Sequence, residues 1–124
     1  MRIFKVKWFA KFARRERIPD SSLVDAIDAA RQGLVDADLG GHLIKQRVAR
    51  TGQGKSGGYR TIIAFKTADR AIFMYAFAKS DRANLTNDEL DHYKTAAKHL
   101  LALSSADLDR LAAERTLIEV DLDE

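Results

Sequence analysis

The sequence predicts an α+β fold. Its elements run strand, helix, helix, three strands, helix (β-α-α-β-β-β-α), with an extra C-terminal helix, around one mostly antiparallel sheet. Three observations lead there. Apolar residues recur at helical spacing in two stretches before residue 34. Between residues 42 and 79 lie three runs rich in β-branched and aromatic residues, parted by short turns. Then Thr86-Asn87-Asp88-Glu89 has the form of a capping box, a hydroxyl with a Glu three residues later, ahead of another helical stretch.

Arg2 to Lys5 reads as a short strand. From about Lys5 to Arg17, Val6, Phe9, Phe12 and Ala13 share one helical face, and Lys7, Lys11, Arg14 and Arg15 form a basic stripe on another. Pro19 breaks the chain, and Asp20 or Ser21 caps a second helix to about Gly33 with Leu23, Ala26, Ile27 and Ala30 inward. Asp38-Leu39-Gly40-Gly41 reads as a loop. His42 to Arg50 is a strand whose period of two sets Lys45 and Arg47 on one face and Ile44 and Val48 on the other. Tyr59 to Thr67 and Ala71 to Lys79 complete an antiparallel meander. The helix after Thr86 runs to about Leu103 and buries Leu90, Tyr93, Ala97, Leu100 and Leu101. Ser104 or Ser105 caps a last helix to about Arg115, and TLIEVDLDE ends as a short strand or a frayed tail. Helices are expected on one face of the sheet, leaving the other to Lys45, Arg47 and their neighbours.

A chain of 124 residues suits one domain, and its 46% apolar content is enough for a core. It has no cysteine, which excludes disulfides, cysteine nucleophiles and thiolate metal sites. No apolar run resembles a signal peptide or a membrane span, so a soluble, cytoplasmic protein is expected. The net charge of +3 is unevenly divided. Residues 1–103 hold nineteen bases and eleven acids and form the expected domain. Residues 104–124 hold two bases and seven acids and read as an acidic helical extension, solvated or shielding the basic face.

The thirty residues from Leu39 to Ala68 contain no Asp or Glu and six bases, Lys45, Arg47, Arg50, Lys55, Arg60 and Lys66. A one-sign field of this length attracts polyanions. Within it, Ala49 to Ser56 satisfies the loose Walker A spacing. That loop needs a helix N-terminus behind it, and Gly57-Gly58-Tyr59-Arg60 followed by a strand supplies none, so nucleotide binding is set aside. The segment reads instead as a hairpin loop displaying Lys55. His42, His92 and His99 do not pair at metal spacing; His42 could reach the basic face. No cofactor and no metal are expected. The chemistry open to Lys, Arg and Tyr is RNA cleavage by the ribose 2′-hydroxyl, with Lys as base and Arg holding the phosphate oxygens.

A second cluster, Phe77-Ala78-Lys79-Ser80-Asp81-Arg82-Ala83-Asn84, follows the last strand. The element order, the basic second strand, Gly58-Tyr59-Arg60 and Phe77-x-Lys79-x-x-Arg82 together resemble the RelE-type toxins of bacterial toxin–antitoxin systems. RTGQGKSGGYRT and FAKSDRAN resemble the HigB-like group within them, over about residues 1–103. The resemblance implies a RelE-like microbial RNase fold. It also implies a toxin that cleaves mRNA on the ribosome and a cognate antitoxin, a helix-turn-helix protein from the adjacent gene. By position, it makes Lys45, Arg47, Arg60, Lys79 and Arg82 the residues around the scissile phosphate. Some relatives carry a tyrosine or histidine beyond this segment. Here Leu85 and Thr86 stand there, so Lys55, His42, Tyr59 or Tyr75 must fill that role. Lys7, Lys11, Arg14, Arg15, Arg50 and Tyr59 are the expected RNA contacts. The alternatives are a ParE-like inhibitor of DNA gyrase and a non-catalytic nucleic-acid binder.

Overall fold

The computed structural model describes residues 1–50 and 54–122, without the side chains of residues 50 and 54–57. The chain runs β1 (Arg2–Val6), α1 (Lys7–Arg15), α2 (Asp20–Arg31), β2 (Ala37–Gly40), β3 (Leu43–Arg50), β4 (Gly54–Lys66), β5 (Arg70–Ala78), α3 (Asn87–Ala102), α4 (Ser105–Ala113) and β6 (Leu117–Glu119). One six-stranded sheet has the order β2-β3-β4-β5-β1-β6. The meander β3-β4-β5 is antiparallel as expected, and β1 beside β5 is parallel. The α+β class and the mostly antiparallel sheet read from the sequence are those of the molecule.

The caps explain several boundaries. Thr86 Oγ1 accepts from the Glu89 amide (3.2 Å) and Glu89 Oε1 accepts from the Thr86 amide (2.8 Å), so the capping box is formed. Ser104 and Asp107 repeat it at α4. At α2 neither Asp20 nor Ser21 caps; Pro19 holds the N-cap position, and the Asp20 carboxylate instead accepts from Lys5 Nζ at 2.9 Å. Of the expected loop 38–41, the residues up to Gly40 instead belong to strand β2. Gly41 and His42 both take positive φ (61° and 62°), the two-residue hairpin geometry that turns β2 back along β3.

Both faces of the sheet carry helices, which corrects the expected one-sided arrangement. Phe9, Phe12, Leu23 and Ile27 of α1 and α2 pack on Ile3, Ile44, Val48, Ile63 and Phe73. On the opposite face, α3 and α4 cover Phe4, Leu43, Ile62, Ile72, Met74 and Phe77. Leu108 and Leu117 are each 2% exposed in this second core, and β6 pairs with β1. The segment after residue 103 is therefore part of the same sheet and core rather than an appendage, because its leucines close the apolar surface of β1 and β5. Arg2 clamps this edge by donating two 2.9 Å hydrogen bonds to Glu119.

A register shift positions the site. Ile62 pairs with Tyr75 while Ile63 pairs with Phe73, so Met74 is an extra residue in β5. The bulge sends Phe73 into the first core and leaves Tyr75 on the face of Ile62 and Phe77. Gly58 lies where β3 and β4 approach closely; a Cβ there would stand 2.3 Å from the Val48 carbonyl oxygen.

Candidate functional site

Strand period places Lys45 and Arg47 of β3 on the α3-bearing face, beyond Leu43. Arg60 of β4 is the direct cross-strand partner of Arg47. Two like charges facing each other destabilise a sheet unless something neutralises them. Asp36, just before β2, does so. Its Oδ1 lies 3.3 Å from Arg47 Nε, and its Oδ2 lies 3.6 Å from Arg60 Nε and 3.9 Å from Lys45 Nζ. Gln46 holds this acid in place from the other face. Its Oε1 accepts from the Asp36 amide (3.1 Å), and its Nε2 donates to the carbonyls of Ala26 (3.0 Å) and Leu34 (2.9 Å).

The three cations differ in access. The Arg47 side chain is 48% exposed, Lys45 17% and Arg60 7%. Arg60 Nη1 is buried with no hydrogen-bond acceptor among the described residues. Arg47 thus presents charge to solvent, and Arg60 supports it from below.

A second ion pair adjoins the first. Lys45 Nζ donates to Asn84 Oδ1 at 3.0 Å. The Asn84 carbonyl accepts from Arg82 Nε (3.2 Å) and Nη2 (3.0 Å), and Arg82 also donates to both carboxylate oxygens of Glu89. The Arg82 hydrogen bond first, then the Thr86 amide, hold the Glu89 carboxyl down to about 2. The Arg82 guanidinium lies 5.6 Å from the centre of the Phe77 ring, and its hydrogen bond to Glu89 raises its pKa. Four cations (Lys45, Arg47, Arg60 and Arg82) thus meet two carboxylates, leaving the cluster net positive.

Of the residues expected to supply a final proton, Tyr75 is on this face. Its ring lies 4.8 Å from Trp8, 5.5 Å from Tyr93 and 6.2 Å from Phe77. His42 sits at the other end of β3, in a shallow pocket with Lys66, Lys94 and Lys98. Tyr59 is corrected as an RNA contact. It is 3% exposed on the α1 side of the sheet, edge-on to Phe12, with its hydroxyl donating to Glu16. The side chains of Arg50 and Lys55 lie outside the described residues. The chain from Gly54 onward is strand, not the helix a nucleotide loop requires.

Lys79 is exposed just past β5 and makes no hydrogen bond or ion pair among the described residues. Lys7, Lys11 and Arg14 line a groove of about 730 Å³ together with Trp8 and Arg115. Arg15 turns away to Glu16 (3.1 Å) and to the Phe12 ring. Asp36 and Trp8 were missed in the sequence. Asp36 stands three residues outside the acid-free window, and Trp8 interrupts a stripe read only for its charges.

The sequence model of the family described as RelE toxin of RelE / RelB toxin-antitoxin system matches residues 1–120. The chain belongs to the RelE toxin family. The match runs past residue 103 through α4 and β6, the elements that complete the sheet. Membership makes the protein the toxin of a toxin–antitoxin system, with an antitoxin as partner. A comparison with curated proteins finds no match. Among the described residues of this RelE-family toxin, no helix is long and apolar enough to cross a membrane.

Proposed function

We propose that this toxin is an endoribonuclease that cleaves mRNA, in particular message held by the ribosome, in the cytoplasm. The observation that carries the reading is the convergence of Lys45, Arg47 and Arg60 on Asp36, joined through Asn84 to Arg82, with Tyr75 on the same face beside Phe77. A strand of RNA laid there meets each group the reaction needs. Arg47 and Arg82 hold the phosphate oxygens with their forked donors, and Lys45 and Arg60 add charge as the phosphorane forms.

The 2′-oxygen attacks phosphorus and the bond to the 5′-oxygen breaks, giving a 2′,3′-cyclic phosphate and a free 5′-hydroxyl. Asp36 takes the 2′-hydroxyl proton, a task first assigned to lysine, because a carboxylate can accept a proton without first losing one. Tyr75 gives its proton to the leaving 5′-oxygen; its neighbour Phe77 carries the Arg82 guanidinium over its ring, on the same face. Lys79, exposed at the end of β5, guides the backbone by charge. The RTGQGKSGGYRT and FAKSDRAN segments favour the HigB-like group and a helix-turn-helix antitoxin.

The test is expression in cells followed by mapping of message ends. Growth arrest with cuts inside translated codons supports the reading. Arrest with intact message and induced DNA-damage signalling moves the protein to gyrase inhibition instead.

A further inference from the structure

The one tryptophan of the chain is the large aromatic most out of place. Trp8 lies in the first turn of α1 and leaves 45% of its surface in solvent. It is not loose. Its ring stacks on Phe12 (5.4 Å between centroids, 11° between planes) and leans on Tyr75 (4.8 Å, 34°). Tyr75 in turn stacks on Tyr93 (5.5 Å, 23°). The exposed ring is therefore held rigid and tied to Tyr75, whose neighbour Phe77 carries the Arg82 guanidinium over its ring.

On its other side begins the groove of Lys7, Lys11, Arg14 and Arg115. Lys7 and Lys11 are one turn apart, about 6 Å along the helix axis. Among the described residues, the one acid lining the groove, Asp20, is already bound to Lys5 at 2.9 Å. A protein partner docking an apolar segment here would have to strip water from these cations. A single-stranded nucleic acid would use them, since it offers phosphates to the cations and a ring face to the tryptophan.

We propose that Trp8 is a stacking platform for an unpaired RNA base flanking the scissile phosphate, with the adjoining backbone running along Lys7, Lys11 and Arg14. This rests on the ribonuclease reading and adds to it a subsite at the edge of β5, where β1 has ended and α1 begins. The rigid ring makes binding cheaper, because no side-chain freedom is lost when the base arrives.

Because Trp8 is the sole tryptophan, its emission reports the subsite directly. The full chain is titrated with a fluorescently labelled 2′-O-methyl oligoribonucleotide, which cannot be cleaved, and with inorganic polyphosphate. Label anisotropy reports oligonucleotide binding, and Trp8 emission is read in both titrations. The proposal expects the oligonucleotide to bind and quench Trp8, and polyphosphate to leave the emission unchanged. It expects Trp8→Ala to weaken oligonucleotide binding by about 5- to 100-fold, and Trp8→Phe to restore most of it. Binding with unchanged Trp8 emission overturns the stacking proposal alone and leaves the ring to a protein partner such as the antitoxin. No oligonucleotide binding at low salt overturns the ribonuclease reading and this inference with it. Should Trp8→Ala fail to fold, the native emission and Trp8→Phe still decide.

Discussion

Replacing Asp36 with asparagine keeps the shape of the side chain and removes the charge on which three cations converge. At 3.3, 3.6 and 3.9 Å each contact is worth about 4–5 kcal/mol gross at an effective dielectric constant of about 20. Most of that is offset by desolvation. The Arg47 contact is half exposed and nets under about 1 kcal/mol. The Arg60 contact weighs more, because its side chain is 7% exposed and loses its counter-charge. Stranding a buried ion costs about 3–5 kcal/mol, and the partial exposure of Asp36 argues for the lower end. The sum is about 3 kcal/mol, or a fall in Tm of about 10–15 °C for a domain of this size. The assay is thermal unfolding at low salt, repeated with polyphosphate, which should restore part of the loss by supplying negative charge to the freed cations. RNA cleavage should fall by about 10²- to 10⁴-fold as the proton acceptor is lost. A variant that melts within about 2 °C of the parent and cleaves at the parent rate would refute both roles given to Asp36.

Glu89→Gln should lower Tm modestly at neutral pH. The folded carboxyl is depressed to about 2 from 4.5, so its contribution is complete above about pH 5 and disappears as pH falls toward 2. The Tm gap between parent and variant should close over that window, and a gap constant with pH would contradict the assignment. Tyr75→Phe keeps the ring between Trp8 and Tyr93 and removes the proton donor. Cleavage should drop about 10²-fold or more with Tm nearly unchanged; an unaffected rate would take Tyr75 out of the chemistry. Leu117→Ala should cost about 2–5 kcal/mol in urea unfolding, because Leu117 closes the second core beneath β1. A cost below about 1 kcal/mol would make β6 a loosely attached edge.

Local pattern was enough for the meander, the Thr86 capping box and the common face of Lys45 and Arg47. Each follows from spacing within a few residues. The same period of two also held the answer for Tyr59. Adjacent residues of a strand point to opposite faces, so Tyr59 cannot share the site of Arg60. Strand β2 was hidden because Gly40-Gly41 marks a turn without saying that a strand leads into it. Strand β6 has three residues, too few for any period to show. The Met74 bulge and the reach of Asp36 across to β3 and β4 are tertiary. The bulge arises because Phe73 and Tyr75 serve different faces, and Asp36 is placed by Gln46 from the far side of the sheet.

The central claim is that Asp36, Lys45, Arg47, Arg60, Arg82 and Tyr75 together cut RNA through its own 2′-hydroxyl. It is tested most directly by the ends of the product. Purified toxin is incubated with translating ribosomes on a defined message, and the upstream fragment is examined for its terminus. A 2′,3′-cyclic phosphate, with cleavage abolished by a single 2′-deoxy substitution at the cut site, is the predicted result. A 3′-hydroxyl end, or cleavage that persists at the 2′-deoxy position, would contradict the account.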